Sequence, residues 1–277
     1  MGMQINTNLA ANNTYRNLAS TQTDMAKSLE RLSSGLRINR AADDAAGLAI
    51  SEGLKSQVGG LTVASRNAQD AVSVIQTAEG SLSEVQTILQ RVRDLAVQAG
   101  NGSNNDDSRI AIQTEVTALG EELSRIAKST NFNGIQLADS TAEATPLVFQ
   151  VGAGGTAGTD TISVNLSDVE LVAVAVKALT FTDSTAALLS VKAVDTEIKG
   201  VSTSRAELGA NQNRFESVIR NIAVSKENLT AAGSRIRDTD MAEEMVKYTR
   251  SSILSQAGTA MLAQANQSNQ GVLSLLR

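Results

Sequence analysis

Residues 11–36 read ANNTYRNLASTQTDMAKSLERLSSGL, and the spacing inside this stretch decides the fold. Ala11, Tyr15, Leu18, Gln22, Met25, Leu29 and Leu32 recur at intervals of 4, 3, 4, 3, 4 and 3 residues. That is the period of about 3.5 residues with which a helix lays one narrow stripe along a partner helix. All of the stripe except Gln22 is apolar, whereas Asn12, Asn13, Thr14, Asn17, Ser20, Thr21 and Thr23 around it are small and polar. A lone helix this polar does not offset its own ordering entropy and is marginal in isolation. At the far end of the chain Leu254, Gly258, Met261, Ala265, Ser268, Val272 and Leu275 repeat the same spacing. The two ends are expected to pair with each other, or with copies of each other in neighbouring subunits.

Moving inward, Ser33, Ser34 and Gly35 interrupt the first helix, and residues 39–44 read as a link. Asp43 or Asp44 suits a helix N-cap, where a carboxylate is favoured by the dipole. A paired-carboxylate metal or acid–base site is the other reading, but no further ligands lie nearby. Leu61, Ala64, Ala68, Ala71, Ile75, Ala78, Leu82, Val85, Leu89, Val92, Ala96 and Ala99 then hold strict 3-4 spacing with every position apolar. At about 1.5 Å per residue this is a rod of roughly 60 Å. Gly100-Asn101-Gly102-Ser103 ends it. A second helix is expected over residues 106–129, with Ile112, Val116, Leu119, Leu123 and Ile126 in phase.

Asn133-Gly134 signals a tight turn. Beyond Pro146 the chain becomes rich in Thr, Val and Gly, and residues 147–151 and 161–166 read as strands around a loop at 152–159. A phosphate cradle is disfavoured there, because the loop has no GxxxxGK[ST] lysine and no helix follows directly. Residues 168–184 carry no motif. Helical period returns near residue 185, where Val194, Ile198, Val201, Arg205, Leu208, Gln212, Phe215, Ile219, Ile222, Lys226 and Leu229 keep 4-3 spacing. A charged link at 235–240 leads to a last helix from residue 241. The fold class expected is mainly α. Long antiparallel rods form a coiled-coil-like bundle, the N- and C-terminal helices pair, and a small β-hairpin region lies mid-chain.

The composition excludes several functions. The net charge of −5 and pI near 5.0 leave no electrostatic footprint for nucleic acid. The chain has no Cys and no His, which removes Ser-His and Cys-His nucleophiles, thiolate and imidazole metal sites, and disulfides. No enzyme activity, cofactor or metal is expected. The longest apolar run, residues 171–176, is far short of a membrane span. No basic n-region precedes an apolar segment at the N-terminus, so export without a cleaved signal peptide is expected.

The motifs carry a family resemblance. Arg31-Leu32-Ser33-Ser34-Gly35-Leu36-Arg37-Ile38-Asn39, followed by Asp43-Asp44-Ala45-Ala46-Gly47, resembles the N-terminal signature of bacterial flagellins. Leu89-Gln90-Arg91-Val92-Arg93-Asp94-Leu95 is similar to the family's central helix motif. Phe149-Gln150-Val151-Gly152, residues 208–215, residues 234–240 and the ending Val272-Leu273-Ser274-Leu275-Leu276-Arg277 extend the match. The resemblance implies an extracellular filament subunit that polymerises with itself, its terminal helices lining a central channel. A hook–filament junction protein and a non-polymerising coiled-coil adaptor are the alternatives.

Residues 1–42 with 240–277 would form an inner coiled-coil domain. Residues 43–239 would form an outer bundle with its β element at about 131–183, and no separate outer variable domain. The expected polymerisation seam is Ala11, Tyr15, Leu18, Met25, Leu29, Leu32, Leu254, Met261, Ala265, Val272 and Leu275. Arg31, Arg37, Arg40, Asp43, Asp44, Asp238 and Asp240 form the expected inter-domain link. The resemblance also implies a patch for the host flagellin-sensing Toll-like receptor at Gln90, Arg91, Leu95 and Glu115. Helical phase places Arg91, Leu95 and Gln98 on a face adjoining the seam. Further partners implied are the flagellar export apparatus, an export chaperone, and hook-associated and cap proteins.

Overall fold

The structure, a computed structural model, describes residues 8–140 and 145–275, with side chains described as far as Gln267. Its described elements run α1 (Leu9–Ser34), α2 (Ala45–Ala99), α3 (Asp106–Ser129), β1 (Asn131–Phe132), β2 (Ile135–Gln136), β3 (Leu147–Gln150), β4 (Thr161–Val164), α4 (Val169–Lys177), α5 (Ser184–Arg237) and α6 (Met241–Leu275). The mainly helical fold with a small β region follows the sequence reading. The chain divides into two compact units, residues 1–56 with 228–277 and residues 57–227.

Within the second unit, the α2 seam from Ala64 to Ala99 is buried at every position of the 3-4 pattern. On α5 the buried positions Val194, Val201, Leu208, Phe215 and Ile222 stand seven residues apart, with half-buried Ile198, Arg205, Gln212 and Ile219 between them. Arg93 donates to Asp195 at 2.6 Å, and Arg205 reaches Glu79 at 3.1 Å and Gln86 at 2.5 Å. These pairs fix α2 and α5 as antiparallel neighbours. Ile112, Val116, Leu123 and Ala127 bring α3 into the same core. Asn105 caps α3 by accepting the Ser108 N–H at 2.8 Å, and Asp106 and Asp107 complement the dipole in its first turn.

Asn133 and Gly134 have φ of 50° and 82°, so both central residues of the β1–β2 turn are left-handed. This is the backbone a two-residue hairpin demands. β3 and β4 pair antiparallel, Leu147 opposite Val164 and Gln150 opposite Thr161. The Phe149 ring meets Phe215 edge-on at 5.7 Å, which docks the hairpin on α5. Its loop is held rather than loose. The Gln150 side chain donates to the carbonyls of Gly152 and Gly154, and Asp160 accepts the Thr156 N–H at 3.0 Å. A Cβ at Gly60 of α2 would lie 2.9 Å from that of Ala153, so the loop rests directly on the helix backbone.

Helix α4 occupies the stretch that carried no motif. Asp168 caps it, accepting from Glu170 and Leu171, and Val169, Val172, Ala173 and Val176 turn into the core. It packs closely on α3, where a Cβ at Gly120 would lie 2.7 Å from Lys177 Cγ.

Candidate functional site

In the first unit, α1 and α6 form an antiparallel helical hairpin. Asn8 Nδ2 donates to the Ala265 carbonyl at 3.0 Å, Gly258 meets Leu18, and Arg31 faces Glu244 at 3.9 Å. The covered face of α1 comprises Ala11, Thr14, Leu18, Thr21, Met25, Ser28 and Leu32. That of α6 comprises Glu244, Tyr248, Ser251, Ser255, Gly258, Leu262 and Ala265. The contact is thus built largely from small or polar side chains, which let the two backbones approach.

The large apolar side chains are mostly elsewhere. Tyr15 and Leu29, expected on the stripe, are exposed, Tyr15 by 64%. On α6 Leu254 and Met261 are likewise exposed, Met261 by 62%, together with Met241, Met245, Val246 and Ile253. Met245, Val246, Thr249, Arg250, Ile253 and Leu254 line a shallow, mainly apolar groove. Of the expected seam, Ala11, Leu18, Met25, Leu32 and Ala265 lie at the hairpin contact. The side chains of Val272 and Leu275 lie outside the described residues. Spacing alone selects the bulkiest apolar series, whereas the intrachain contact falls on the phase that includes Thr14, Thr21 and Ser28.

At the charged end of the hairpin Glu244 is 2% exposed, with Arg31 on one side and Lys247 at 3.7 Å on the other. The Lys247 ammonium is held above its ordinary value, chiefly by its hydrogen bond to Glu243, with Glu243 and Glu244 also attracting it.

The link residues are close in space but do not pair as arginine–aspartate bridges. Leu36 and Asp238 form an antiparallel backbone bridge, and the Arg37 N–H donates to the Arg237 carbonyl at 2.7 Å. Arg37 also donates through its guanidinium to the Ile236 carbonyl. Arg40 pairs with Glu30, and Arg237 with Glu52. Each aspartate binds locally. Asp43 accepts the Asn39 and Arg40 N–H groups, which hold its pKa below the ordinary value. Asp44 accepts the Gly47 N–H and caps α2, Asp240 caps α6, and Asp238 accepts the Ser234 hydroxyl. A Cβ at Gly47 would lie 2.5 Å from Asp44 Oδ2 and 2.7 Å from Cδ1 of buried Ile38, so a larger residue would displace the capping carboxylate and the Ile38 side chain.

In the second unit Arg91 on α2 grips Glu115 on α3 through Nε and Nη2, at 3.0 and 2.7 Å from one carboxylate oxygen. Gln90, Arg91 and Glu115 are exposed. Leu95 departs from expectation. It is 2% exposed and belongs to the bundle core, because α2 is flanked by more than one helix and buries a stripe wider than a two-helix seam. Among the described residues no group of carboxylates is arranged to hold a metal, and no helix is long and apolar enough to cross a membrane.

A paired-helix unit that leaves most of its large apolar side chains exposed on faces away from its own contact has the form of a coiled-coil assembly subunit. Comparison with known proteins gives the family. Residues 5–143 match the bacterial flagellin N-terminal helical region, and residues 191–276 the bacterial flagellin C-terminal helical region. A flagellin of Halalkalibacterium halodurans is 50% identical, the match covering 99% of this chain and all of the relative. A flagellin of Bacillus subtilis is 49% identical over 99% of this chain and all of its own length. The crystal structure of Bacillus cereus flagellin superposes with a TM-score of 0.50 at 32% identity, over 61% of this chain and 94% of that one. A putative flagellar hook-associated protein of Vibrio parahaemolyticus, at 15% identity and a TM-score of 0.58, shares the fold, covering 71% of this chain and all of its own. The chain belongs to the bacterial flagellin family. It is a structural subunit of the extracellular flagellar filament, not an enzyme.

Proposed function

We propose that residues 1–42 and 240–277 form the inner, channel-lining part of the filament, and that residues 43–239 form its outer bundle. The observation that carries this reading is the exposure of Tyr15, Leu29, Ile253, Leu254 and Met261 on a hairpin whose own contact intersperses Leu18, Met25, Leu32 and Leu262 with small and polar residues. Seam positions such as Ser28, Ser251, Ser255 and Gly258 bury little apolar area at ~25 cal/mol per Å², against ~1–2 kcal/mol of backbone entropy per ordered residue. The hairpin is therefore marginal in the free subunit and gains its stability when neighbours cover its outer faces. Residues 57–227, with their continuous core, do not share this dependence.

Removing about the last twenty residues should abolish filaments in electron micrographs while leaving the cooperative melting of the bundle. Amide exchange in the monomer should be fast in α1 and α6 and slow through α2, α3 and α5. A truncated chain that still polymerises overturns the reading. Export through the flagellar apparatus with its chaperone, and capping by hook-associated and cap proteins, belong to the same proposal.

A second reading rests on the exposed Gln90, Arg91 and Glu115 cluster. It is the surface through which the monomer engages the host flagellin-sensing Toll-like receptor.

A further inference from the structure

We propose that the methionine thioethers of α6, Met245 and Met261 foremost, are an oxidation site through which peroxide-class oxidants withdraw the free chain from polymerisation. The distribution of sulfur points to this. The chain has six methionines and no cysteine, and the methionines are Met1, Met3, Met25, Met241, Met245 and Met261. The compact unit of residues 57–227 therefore contains no sulfur at all. Met241, Met245 and Met261 are 48%, 53% and 62% exposed, and Met245 lines the apolar groove of α6 with Val246, Ile253 and Leu254. Met25 is half-buried at the hairpin contact and is the less accessible thioether.

A methionine exchanged for any aliphatic residue of similar volume would serve packing equally well, but a thioether adds chemistry. Its sulfur lone pair attacks one peroxide oxygen, an S–O bond forms as the O–O bond breaks, and water leaves. The thioether loses two electrons and the peroxide gains them. The sulfoxide is polar and chiral, so a side chain suited to a dry helix contact becomes one that demands hydration there. Before assembly the thioethers face solvent and react; once neighbours cover them they are shielded. The same residues thus distinguish free from assembled chain, a consequence that rests on the assembly reading above.

The test uses the full chain treated with hydrogen peroxide, with sulfoxides mapped by peptide mass spectrometry and polymerisation followed by sedimentation on filament seeds. Chain carrying sulfoxide at residues 245 and 261 should need about tenfold or more higher concentration to polymerise, because each sulfoxide must shed water before a neighbour can pack on it. Methionine sulfoxide reductase should restore the original concentration. A Met245→Leu, Met261→Leu variant, compared with its own untreated sample, should show no rise in the concentration needed to polymerise after the same exposure. Preformed filaments should take up oxygen at these positions several-fold more slowly than the free chain. Normal polymerisation of mapped, oxidised chain overturns the proposal, as does a Leu variant that loses polymerisation to the same degree. An untreated chain that does not polymerise at all overturns the assembly reading, and this proposal with it.

Discussion

Gly258 of α6 lies so close to Leu18 of α1 that a Cβ at residue 258 would stand 3.2 Å from Leu18 Cδ1. The contacted atom is the end of a flexible side chain, so a methyl group can be admitted by a small Leu18 shift. Replacing a mid-helix glycine with alanine also gains about 1 kcal/mol of helix propensity. Gly258→Ala is therefore expected to polymerise as the parent does, with equal or greater helicity by circular dichroism. Gly258→Leu should prise the hairpin open and abolish sedimentable polymer.

The same geometric argument gives the opposite sign at Gly60. A Cβ there would meet Ala153 Cβ at 2.9 Å and Ala153 Cα at 3.3 Å, and neither atom can swing aside. Overpacking of this kind costs ~1–3 kcal/mol, which outweighs the propensity gain. Gly60→Ala should lower the bundle's thermal midpoint by about 2–4 °C per kcal/mol of destabilisation.

For receptor engagement, substitutions at Gln90 and Arg91 are informative because both side chains are exposed. Gln90→Ala with Arg91→Ala should reduce monomer signalling by roughly tenfold or more while leaving the melting curve nearly unchanged, since exposed ion pairs contribute only ~0–1 kcal/mol. Leu95→Ala is a different experiment. It empties a core position at a cost of ~2–5 kcal/mol, so diminished signalling would report unfolding. Undiminished signalling by the folded Gln90 and Arg91 variant would sink this assignment.

Asp43 supplies a pH prediction. Backbone N–H groups of Arg40 and then Asn39 hold its pKa down. A carboxylate with a depressed folded pKa contributes stability above its unfolded value, and that contribution disappears as pH falls through the folded one. The turn at residues 39–43 should therefore loosen only in acid, below the ordinary aspartate range. Amide exchange at Asn39 and Arg40 should accelerate there, after correction for intrinsic rates, and Asp43→Asn should remove the acid dependence.

The bundle is legible in the sequence because its seams serve one chain. Leu82, Val85, Leu89 and Val92 are both the most apolar and the most buried positions on their face, so periodicity and packing agree. The Asn133-Gly134 turn is legible because its backbone requirement is local. Helix α4 is not. Val169, Val172, Val174 and Val176 are β-branched and read poorly as helix, and packing against α3 overrides that preference. On α1 the contact shares Ala11, Leu18, Met25 and Leu32 with the apolar stripe but takes Thr14 rather than Tyr15, Thr21 rather than Gln22 and Ser28 rather than Leu29. A sequence that must satisfy partners on several sides carries more than one stripe, and size alone does not say which faces inward. The link aspartates escape a charge-pairing reading for a simpler reason. Asp43, Asp44 and Asp240 accept from backbone N–H groups and Asp238 from the Ser234 hydroxyl, partners that no pattern of charges reveals.

On the assembly reading proposed above, the exposed apolar side chains of the hairpin also govern how assembly begins. Two free chains that meet can shield only one face each, leaving the remaining apolar groove on α6 wet and both hairpins still marginal. A chain arriving at an existing end finds several faces completed at once. Growth on a seed is therefore downhill at concentrations where spontaneous initiation stalls, and a solution of subunits can stay supersaturated until a template is supplied.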